Sequence, residues 1–161
     1  MARLRGRSAR AKPCFGSVPH GHWDNGTFLA GLRSDRVIAP MPIPGAMEGD
    51  AFTVWVSQAL APALNEGDIV ICDNLSVHKN ASARAAIEAR GAEPRFLPAC
   101  PPDLDPIEML FARIKALARN AAARCFDTIS TAIGKALGAV SPTECFDYLR
   151  HAGYDRKPDQ R

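Results

Sequence analysis

Two acidic residues of this 161-residue sequence stand at positions where carboxylates can bind a metal ion. Asp73 ends the apolar run 68–73, which predicts a strand, and Glu108 lies in the first turn of a helix predicted to begin after Asp105. In open α/β sheets, ligand sites form at the carboxyl ends of parallel strands. Carboxylate oxygens from two neighbouring elements suit a hard divalent cation such as Mg²⁺. The pattern therefore predicts Asp73 and Glu108 as metal ligands.

Both acids also have ordinary structural interpretations. Glu108 follows Asp105 by three residues and could be only the partner of that residue in a capping box at the helix start. Asp73 could be only a turn residue at a strand end. His78 and Lys79 follow Asp73 closely and add polar groups near the same edge, although a histidine in an exposed loop commonly has no catalytic role. The residues alone leave both interpretations open.

A strongly basic segment opens the sequence. Its twelve residues hold five cations and no acid, whereas the remaining residues carry 15 basic and 17 acidic side chains. The formal net charge of +3 is therefore the sum of a basic arm, residues 1–12, and a slightly acidic body. Such an arm is typical of nucleic-acid binding, and the alternative is a solvated, disordered leader. The cations of the arm are Arg3, Arg5, Arg7, Arg10 and Lys12.

Three further cations are candidates for contact with a DNA backbone. At about 100° per residue, Lys115 and Arg119 fall on the same flank of their helix as Glu108, beside its apolar stripe. Lys79 lies near the end of the strand that carries Asp73. A carboxylate followed along a helix by two cations could hold a metal ion and then a phosphate group. The alternative is a solvated helix face.

The order of hydrophobic patterns predicts one α/β domain. Two short apolar runs joined by a polar turn predict a hairpin, and the prolines of the second run predict an edge or irregular strand. The run 68–73 suits a strand buried on both faces, and the helix and strand after it predict a parallel pair. We therefore expect a mixed sheet, with an antiparallel hairpin, parallel strands and flanking helices. The predicted strands are 27–32, 37–43, 68–73 and 95–99, and the predicted helices are 50–63, 80–91, 106–121, 127–137 and 142–153.

Composition and cysteine spacing exclude several classes of protein. With 47% hydrophobic and 23% charged residues, the chain is apolar enough to fold around one core. No window holds the roughly 18 uninterrupted apolar residues of a membrane span, and no apolar region follows the basic leader as in a secretory signal. The five cysteines form no CxxC pair, which argues against a disulfide framework or a zinc ribbon. We expect a cytoplasmic protein that does not contact a membrane.

The residues around the two acids combine into a specific set of motifs. Asp73 and Glu108 are separated by 34 residues, and Asp73 begins the stretch DNLSVHK. With the stretches that surround them, these residues resemble the catalytic core of bacterial insertion-sequence transposases related to the mariner group. Those proteins are DDE/D enzymes with an RNase H-like fold, and the resemblance covers about residues 1–154. The stretches that carry it are 3–7, 19–23, 73–79 and 96–108.

The resemblance implies divalent-metal-dependent chemistry on DNA. It implies DNA strand cleavage and strand transfer at insertion-sequence ends, with Asp73 and Glu108 as the second and third catalytic acids. Three acids normally hold two Mg²⁺ or Mn²⁺ ions about 3.5–4 Å apart, of which one activates a water or a DNA 3′-hydroxyl and the other stabilises the leaving oxygen. DNA is the implied partner, and a second copy of the chain or an upstream transposase fragment is a further one.

The sequence departs from the family's pattern in one important respect. The family places its first catalytic Asp on an opening strand before the arginine-rich segment, and no residue before Arg3 can supply it. Asp24 and Asp35 lie in a loop and in a hairpin turn. Asp105 stands where the family more often has Asn, a change that preserves the N-cap. We expect that the first strand and an upstream helix-turn-helix are missing and that the chain alone is weak or inactive.

The sequence thus predicts three parts: the basic arm 1–12, a partial RNase H-like catalytic domain over 13–154, and a frayed tail over 155–161. The first functional hypothesis is a transposase catalytic domain. A second is a DNA-binding or regulatory fragment that keeps the arm and the fold without the chemistry. A third is an unrelated α/β protein in which the two carboxylates are only caps.

Overall fold

The computed structural model describes residues 7–13, 15, 26–98, 105–120 and 126–154, with the backbone alone for residues 119 and 120. Both strands and helices occur within these ranges, in the order hairpin, helix, strand, helix, strand and three helices, which confirms the predicted α/β class. The strands are β1 Gly26–Leu32, β2 Val37–Pro44, β3 Ile69–Cys72 and β4 Glu93–Phe96. The α-helices are α1 Gly49–Trp55, α2 Ala81–Glu88, α3 Pro106–Asn120, α4 Phe126–Gly138 and α5 Pro142–His151.

Strands β1 and β2 form the predicted antiparallel hairpin. Leu29 lies opposite Met41 and Gly31 lies opposite Ile38, so β2 contains one extra residue at this point. Ala39, within this bulge, has a φ of 49°, a left-handed conformation that non-glycine residues seldom adopt. A Cβ atom on Gly31 would lie 2.8 Å from Cγ1 of Ile38, so the bulge needs glycine on the facing strand. The predicted irregularity of β2 is confirmed.

The helical segment predicted over 50–63 changes its geometry along its length. Helix α1 continues into a π-helix, Val56–Leu60, and then into a 3₁₀ turn, Ala61–Ala63. The N–H of Ala61 reaches back five residues to the carbonyl of Val56. Pro62 accounts for the change, because a proline inside a helix has no N–H to donate and its ring crowds the preceding turn.

Strands β3 and β4 form the predicted parallel pair, joined by α2. Asn80 caps this helix by accepting a hydrogen bond of 2.9 Å from the N–H of Ser82. The strand predicted at 95–99 begins two residues earlier, at Glu93, because pairing with β3 already starts there. Pro94 is buried within β4 and pairs with Val70. A proline is tolerated at this place because β4 lies at a sheet edge among the described strands.

The prediction that β3 is buried on both faces is wrong. Ile69 and Ile71 point to one face of the sheet and are 53% and 42% exposed, whereas Val70 on the other face packs into the core. The physical reason is that the helices packed against this strand cover one face only. The described strands also form two two-stranded sheets, β1–β2 and β3–β4, rather than one continuous sheet.

One hydrophobic core lies where the two sheets meet α1 and α2. Phe52, Trp55 and Val56 come from α1 and the π-helix that extends it, and they pack with Leu29 of β1 and Ile87 of α2. Val56 is fully buried. The Nε1 atom of Trp55 donates a hydrogen bond of 2.8 Å to the carbonyl of Ala39, in the bulge of β2. The indole therefore fixes the hairpin against the helix through an apolar and a polar contact.

A second core lies between α3, α4 and the hairpin. Leu110 and Ile114 of α3 are buried against Ile133 of α4, which confirms the apolar stripe predicted for α3. The ring of Phe111 meets that of Phe28 of β1 edge to face, with 5.7 Å between the ring centroids. No helix of the described residues is both long and apolar enough to cross a membrane.

A bidentate ion pair joins the hairpin turn to the residue before β3. The guanidinium of Arg33 donates to both carboxylate oxygens of Asp68, at 2.6 and 2.9 Å. The same carboxylate accepts a bond of 2.8 Å from the N–H of Asn65, and the backbone carbonyl of Asp68 accepts from Glu93 of β4. Its hydrogen bond with Arg33 lowers the pKa of Asp68 below the usual range. This pair therefore ties the two sheets together.

Removal of this guanidinium is expected to destabilise the fold in a pH-dependent way. Arg33→Gln should lower the free energy of unfolding by about 1–2 kcal/mol at pH 7, because a partly buried carboxylate loses its charged donors. Since the pKa of Asp68 is lowered in the folded state, the stabilisation is present above the ordinary pKa of aspartate and is lost as the pH falls through the folded value. Urea unfolding at pH 7 and pH 3 measures both effects.

Arg36→Gln is the matched control, because Arg36 pairs with its neighbour Asp35 in an exposed position. Exposed pairs contribute little, so this variant should lose less than about 0.5 kcal/mol. Equal losses in the two variants, or a loss in Arg33→Gln that is as large at pH 3 as at pH 7, would contradict the role given to the Arg33–Asp68 pair.

Candidate active site

Asp73 lies at the carboxyl end of β3, directly after Cys72. Its Oδ1 atom accepts a hydrogen bond of 3.1 Å from the N–H of Leu75, so the side chain closes a turn, as its structural interpretation predicts. This turn occupies one of the two carboxylate oxygens. No donor of the described residues contacts Oδ2, and the side chain is 40% exposed. Asp73 therefore acts as a turn residue and still has an oxygen for a ligand.

His78 is held between Asp73 and the hydrophobic core. It lies in a 3₁₀ turn, Ser76–Lys79, and its Nδ1 atom contacts Oδ1 of Asp73. Its ring also lies against that of Phe52 in α1, with 4.6 Å between the centroids, and its side chain is only 16% exposed. The sequence indicates that His78 lies near Asp73 but carries no signal of its burial. The missing signal is the contact with Phe52, which comes from a helix 26 residues earlier in the sequence.

Glu108 lies in the first turn of α3 with an exposed side chain. Asp105 accepts a hydrogen bond of 3.3 Å from the N–H of Ile107, as expected of an N-cap side chain. Within the described residues, however, the carboxylate of Glu108 makes no return bond to Asp105. Helix α5 by contrast begins with a complete capping box, with Ser141 and Glu144 bonded to each other's backbone N–H. The capping interpretation therefore accounts for Asp105 but not for Glu108.

Asp105 interacts with the same acids, a role beyond the N-cap that its position in the sequence predicts. Burial raises its pKa, and the carboxylates of Glu108 and Asp73 raise it further, while the N–H of Ile107 and the side chain of His78 oppose the rise. The end of β3 and the start of α3 are therefore within electrostatic range of each other. The signal available in the sequence was the position of Asp105 itself, three residues before Glu108.

The structure thus places His78 in contact with Asp73, and it brings Asp73, His78 and Glu108 within electrostatic range of Asp105. In the part of the chain that the structure describes, no three His, Cys, Asp or Glu side chains are grouped closely enough to hold a metal ion. The arrangement can supply carboxylate oxygens from two elements, Asp73 and Glu108, which suit Mg²⁺ or Mn²⁺ chemically. A complete site needs a further ligand.

Cys72, directly before Asp73, differs from these acids in its protonation state. Burial raises the pKa of Cys72 to about 11, and the carboxylates of Asp73 and Asp105 add to the rise. The thiolate is the form that attacks electrophiles and binds soft metals. The Cys72 side chain is therefore neutral at physiological pH and contributes neither a nucleophile nor a charge to the edge.

The cations predicted to bind DNA occupy several places. Lys79 is exposed at the end of the 3₁₀ turn that carries His78, and Lys115 is exposed on α3, about 10 Å along the helix axis from Glu108 and on the same face. Arg7, Arg10 and Lys12 are also exposed. Of Arg119 only the backbone is described, as part of α3. Outside the described residues lie Arg3, Arg5, Asp24, the segment 19–23 and the predicted tail 155–161.

Replacement of the N-cap acid is expected to stabilise the protein at neutral pH. Folding raises the pKa of Asp105, so the ionised carboxylate destabilises the folded state above that pKa. At pH 3 the carboxyl is protonated in both states and the penalty vanishes. Asparagine keeps the oxygen that accepts from Ile107. Asp105→Asn should therefore raise the thermal midpoint at pH 7 but not at pH 3.

Asp127→Asn is the matched control, because Asp127 lies exposed in the first turn of α4. A negative charge is favourable at that position, so its loss should lower stability slightly at pH 7. A lower midpoint for Asp105→Asn at pH 7 would contradict the electrostatic account of this edge.

Comparison with known proteins identifies the family. No curated protein is similar enough to match the sequence. A family model described as DDE superfamily endonuclease matches residues 2–130, which is more than half of the chain and includes both Asp73 and Glu108. The DDE-type catalytic core predicted from the sequence is therefore confirmed, and the hairpin, parallel pair and helices agree with an RNase H-like fold. The closer relation to the mariner group stays a prediction. The chain belongs to the DDE superfamily endonucleases.

Proposed function

We propose that this chain is the catalytic domain of a DNA transposase that cleaves and transfers DNA strands at insertion-sequence ends with the help of Mg²⁺ or Mn²⁺. The observation that carries the proposal is the free carboxylate of Glu108. A capping box would have occupied that carboxylate, yet none of the described residues binds it, and Asp105, at the start of the same helix, interacts electrostatically with both Glu108 and Asp73. Family membership gives this edge its chemistry.

The donor set fits a divalent ion in part. Asp73 and Glu108 would hold the metal through hard oxygen ligands. When bound, the ions would activate a water or a DNA 3′-hydroxyl and stabilise the leaving oxygen of the phosphodiester. The chain's own contribution is to hold the two carboxylates at one edge. Lys79 and Lys115 are exposed and would position the phosphate backbone beside them.

The proposed site needs one more catalytic acid besides Asp73 and Glu108, and a partner would supply it. The family's first catalytic Asp lies on an opening strand, and each sheet of the described residues has only two strands, so β1 and β3 each have an edge without a neighbour. We propose that an upstream transposase fragment, or a second copy of the chain, completes the site. The partial domain, 13–154, would then be weak or inactive alone and would act in the cytoplasm, where chromosomal DNA is accessible.

A second candidate function is a DNA-binding or regulatory fragment without catalysis. The specific observation in its favour is that no three potential ligands of the described residues are grouped to hold a metal ion. Such a fragment would keep the basic arm, the exposed lysines and the fold. Measurements of metal binding and of DNA cleavage distinguish the catalytic domain from the non-catalytic fragment.

Divalent ions are expected to stabilise the folded chain through the two carboxylates. Ligand at ten times its dissociation constant stabilises by about 1.4 kcal/mol, which is roughly 3–6 °C in melting temperature for a chain of this size. Asp73→Asn and Glu108→Gln should each reduce the rise with Mn²⁺. Without metal, each should leave stability unchanged or raised, because a like charge has been removed. Thermal unfolding with and without millimolar Mn²⁺ measures both effects.

Glu66→Gln is the control for this experiment, because Glu66 is exposed in the turn before β3, at the opposite end of the strand from Asp73. It should keep the full rise with Mn²⁺. A wild type whose melting temperature does not respond to Mn²⁺ would refute the metal site. Loss of stability in Glu108→Gln, equal in both buffers, would instead support the capping role.

The basic arm is expected to bind the DNA backbone. Each phosphate neutralised contributes about 0.9 to the slope of the logarithm of affinity against the logarithm of salt concentration. Deletion of residues 1–12, which carry five cations, should therefore flatten the slope measured by fluorescence anisotropy on duplex DNA. Deletion of residues 155–161, the matched control at the other end, should change it little. An unchanged slope after deletion of the arm would exclude its role in DNA binding.

The chain alone is expected to cleave DNA weakly or not at all. Two carboxylates hold two metal ions poorly, so the transition state lacks its charge stabilisation. We expect no nicking of supercoiled plasmid by the purified chain with Mg²⁺ or Mn²⁺. Robust nicking that is abolished by Asp73→Ala would show that the third acid is already present within the 161 residues.

A further inference from the structure

Among the described residues, the hydrogen bonds of Asp73 end on one of its two carboxylate oxygens. Both donors within the described residues, the N–H of Leu75 and the Nδ1 atom of His78, contact Oδ1. The two contacts with Oδ1 therefore fix the orientation of the carboxylate group. With two donors on Oδ1, the other oxygen, Oδ2, keeps a constant direction without having a partner of its own in that part of the chain.

The two donors differ in how firmly they are held. The N–H of Leu75 belongs to an exposed turn, and the Leu75 side chain itself is exposed. His78 is packed against Phe52, which is only 3% exposed and whose ring contacts that of Trp55, at 5.7 Å between centroids. The imidazole is therefore supported by the hydrophobic core, and the orientation of Asp73 depends on helix α1 through this side chain.

We propose that His78 is a positioning residue for Asp73: its Nδ1–H holds Oδ1, so that Oδ2 is oriented to bind the divalent ion, and Phe52 supports the imidazole. This inference rests on the proposed metal-binding function and names a residue outside the acidic pair on which that function depends. Without His78, the carboxylate keeps only the bond from Leu75, and binding of an ion must then fix a side chain that is free to rotate. Hydrogen-bond partners of metal ligands typically contribute 10–100-fold to metal affinity.

Two substitutions separate the hydrogen bond from the bulk of the ring. His78→Leu keeps an apolar side chain against Phe52 and removes the donor. His78→Asn keeps an N–H at the position of Nδ1, because the amide nitrogen of asparagine is attached to the same carbon position, and removes the ring. Both variants lose part of the ring contact, so a merely structural role predicts similar effects on the two. His151→Leu, at the exposed end of α5, is the control.

The experiment is a titration of each protein with Mn²⁺ by isothermal calorimetry. We expect His78→Leu to bind Mn²⁺ 10–100-fold more weakly than the wild type, His78→Asn to recover most of the affinity, and His151→Leu to match the wild type. Phe52→Leu, which keeps the core apolar but removes the aromatic contact, should show an intermediate loss. This variant also provides the test if His78→Leu does not fold.

A second measurement uses the metal-free protein. The ¹⁵N chemical shift of Nδ1 in His78 reports whether that nitrogen carries a proton, which the proposed hydrogen bond requires. An unprotonated Nδ1 overturns the inference. So does a wild type that binds Mn²⁺ no better than His78→Leu, or equal losses in the Leu and Asn variants. A wild type that binds no Mn²⁺ overturns the proposed function itself, and the inference falls with it.

Discussion

The burial of one helical face between two small sheets is the constraint on which the rest of the structure depends. The hairpin and the parallel pair share no backbone ladder among the described residues, and two-stranded sheets are marginal by themselves. Phe52, Trp55 and Val56 supply the apolar surface that both sheets need. The Arg33–Asp68 pair then fixes the orientation of one sheet relative to the other. The position of Asp73 at the end of β3 follows from this packing.

Local sequence patterns were sufficient for most of the elements. The two apolar runs of the hairpin and the apolar stripe of α3 each have a cause within a few residues, and the structure confirms both. The spacing of Asp73 and Glu108 also identified the family, because the family motif is read from the chain directly. The features that could be predicted were therefore those that residues close together in the sequence determine.

The features that the sequence did not reveal depend on contacts between distant segments. Ile69 and Ile71 read as buried residues, yet their exposure depends on which helices reach that face of the sheet. The support of His78 by Phe52 joins segments 26 residues apart. Asp105 was correctly predicted as a cap, but its electrostatic interaction with Asp73 needed the relative placement of β3 and α3. A single sequence carries no direct signal for such pairs.

The neutral thiol beside Asp73 has a consequence for how the acidic edge responds to oxidative stress. With a pKa of about 11, Cys72 is a thiolate in only on the order of one molecule in ten thousand at pH 7. Peroxides and alkylating reagents react with thiolates, and oxidation to a sulfenic acid begins from that form. The sulfur atom adjacent to a proposed metal ligand is thus protected by its own protonation, and Cys72 should react only slowly with such reagents.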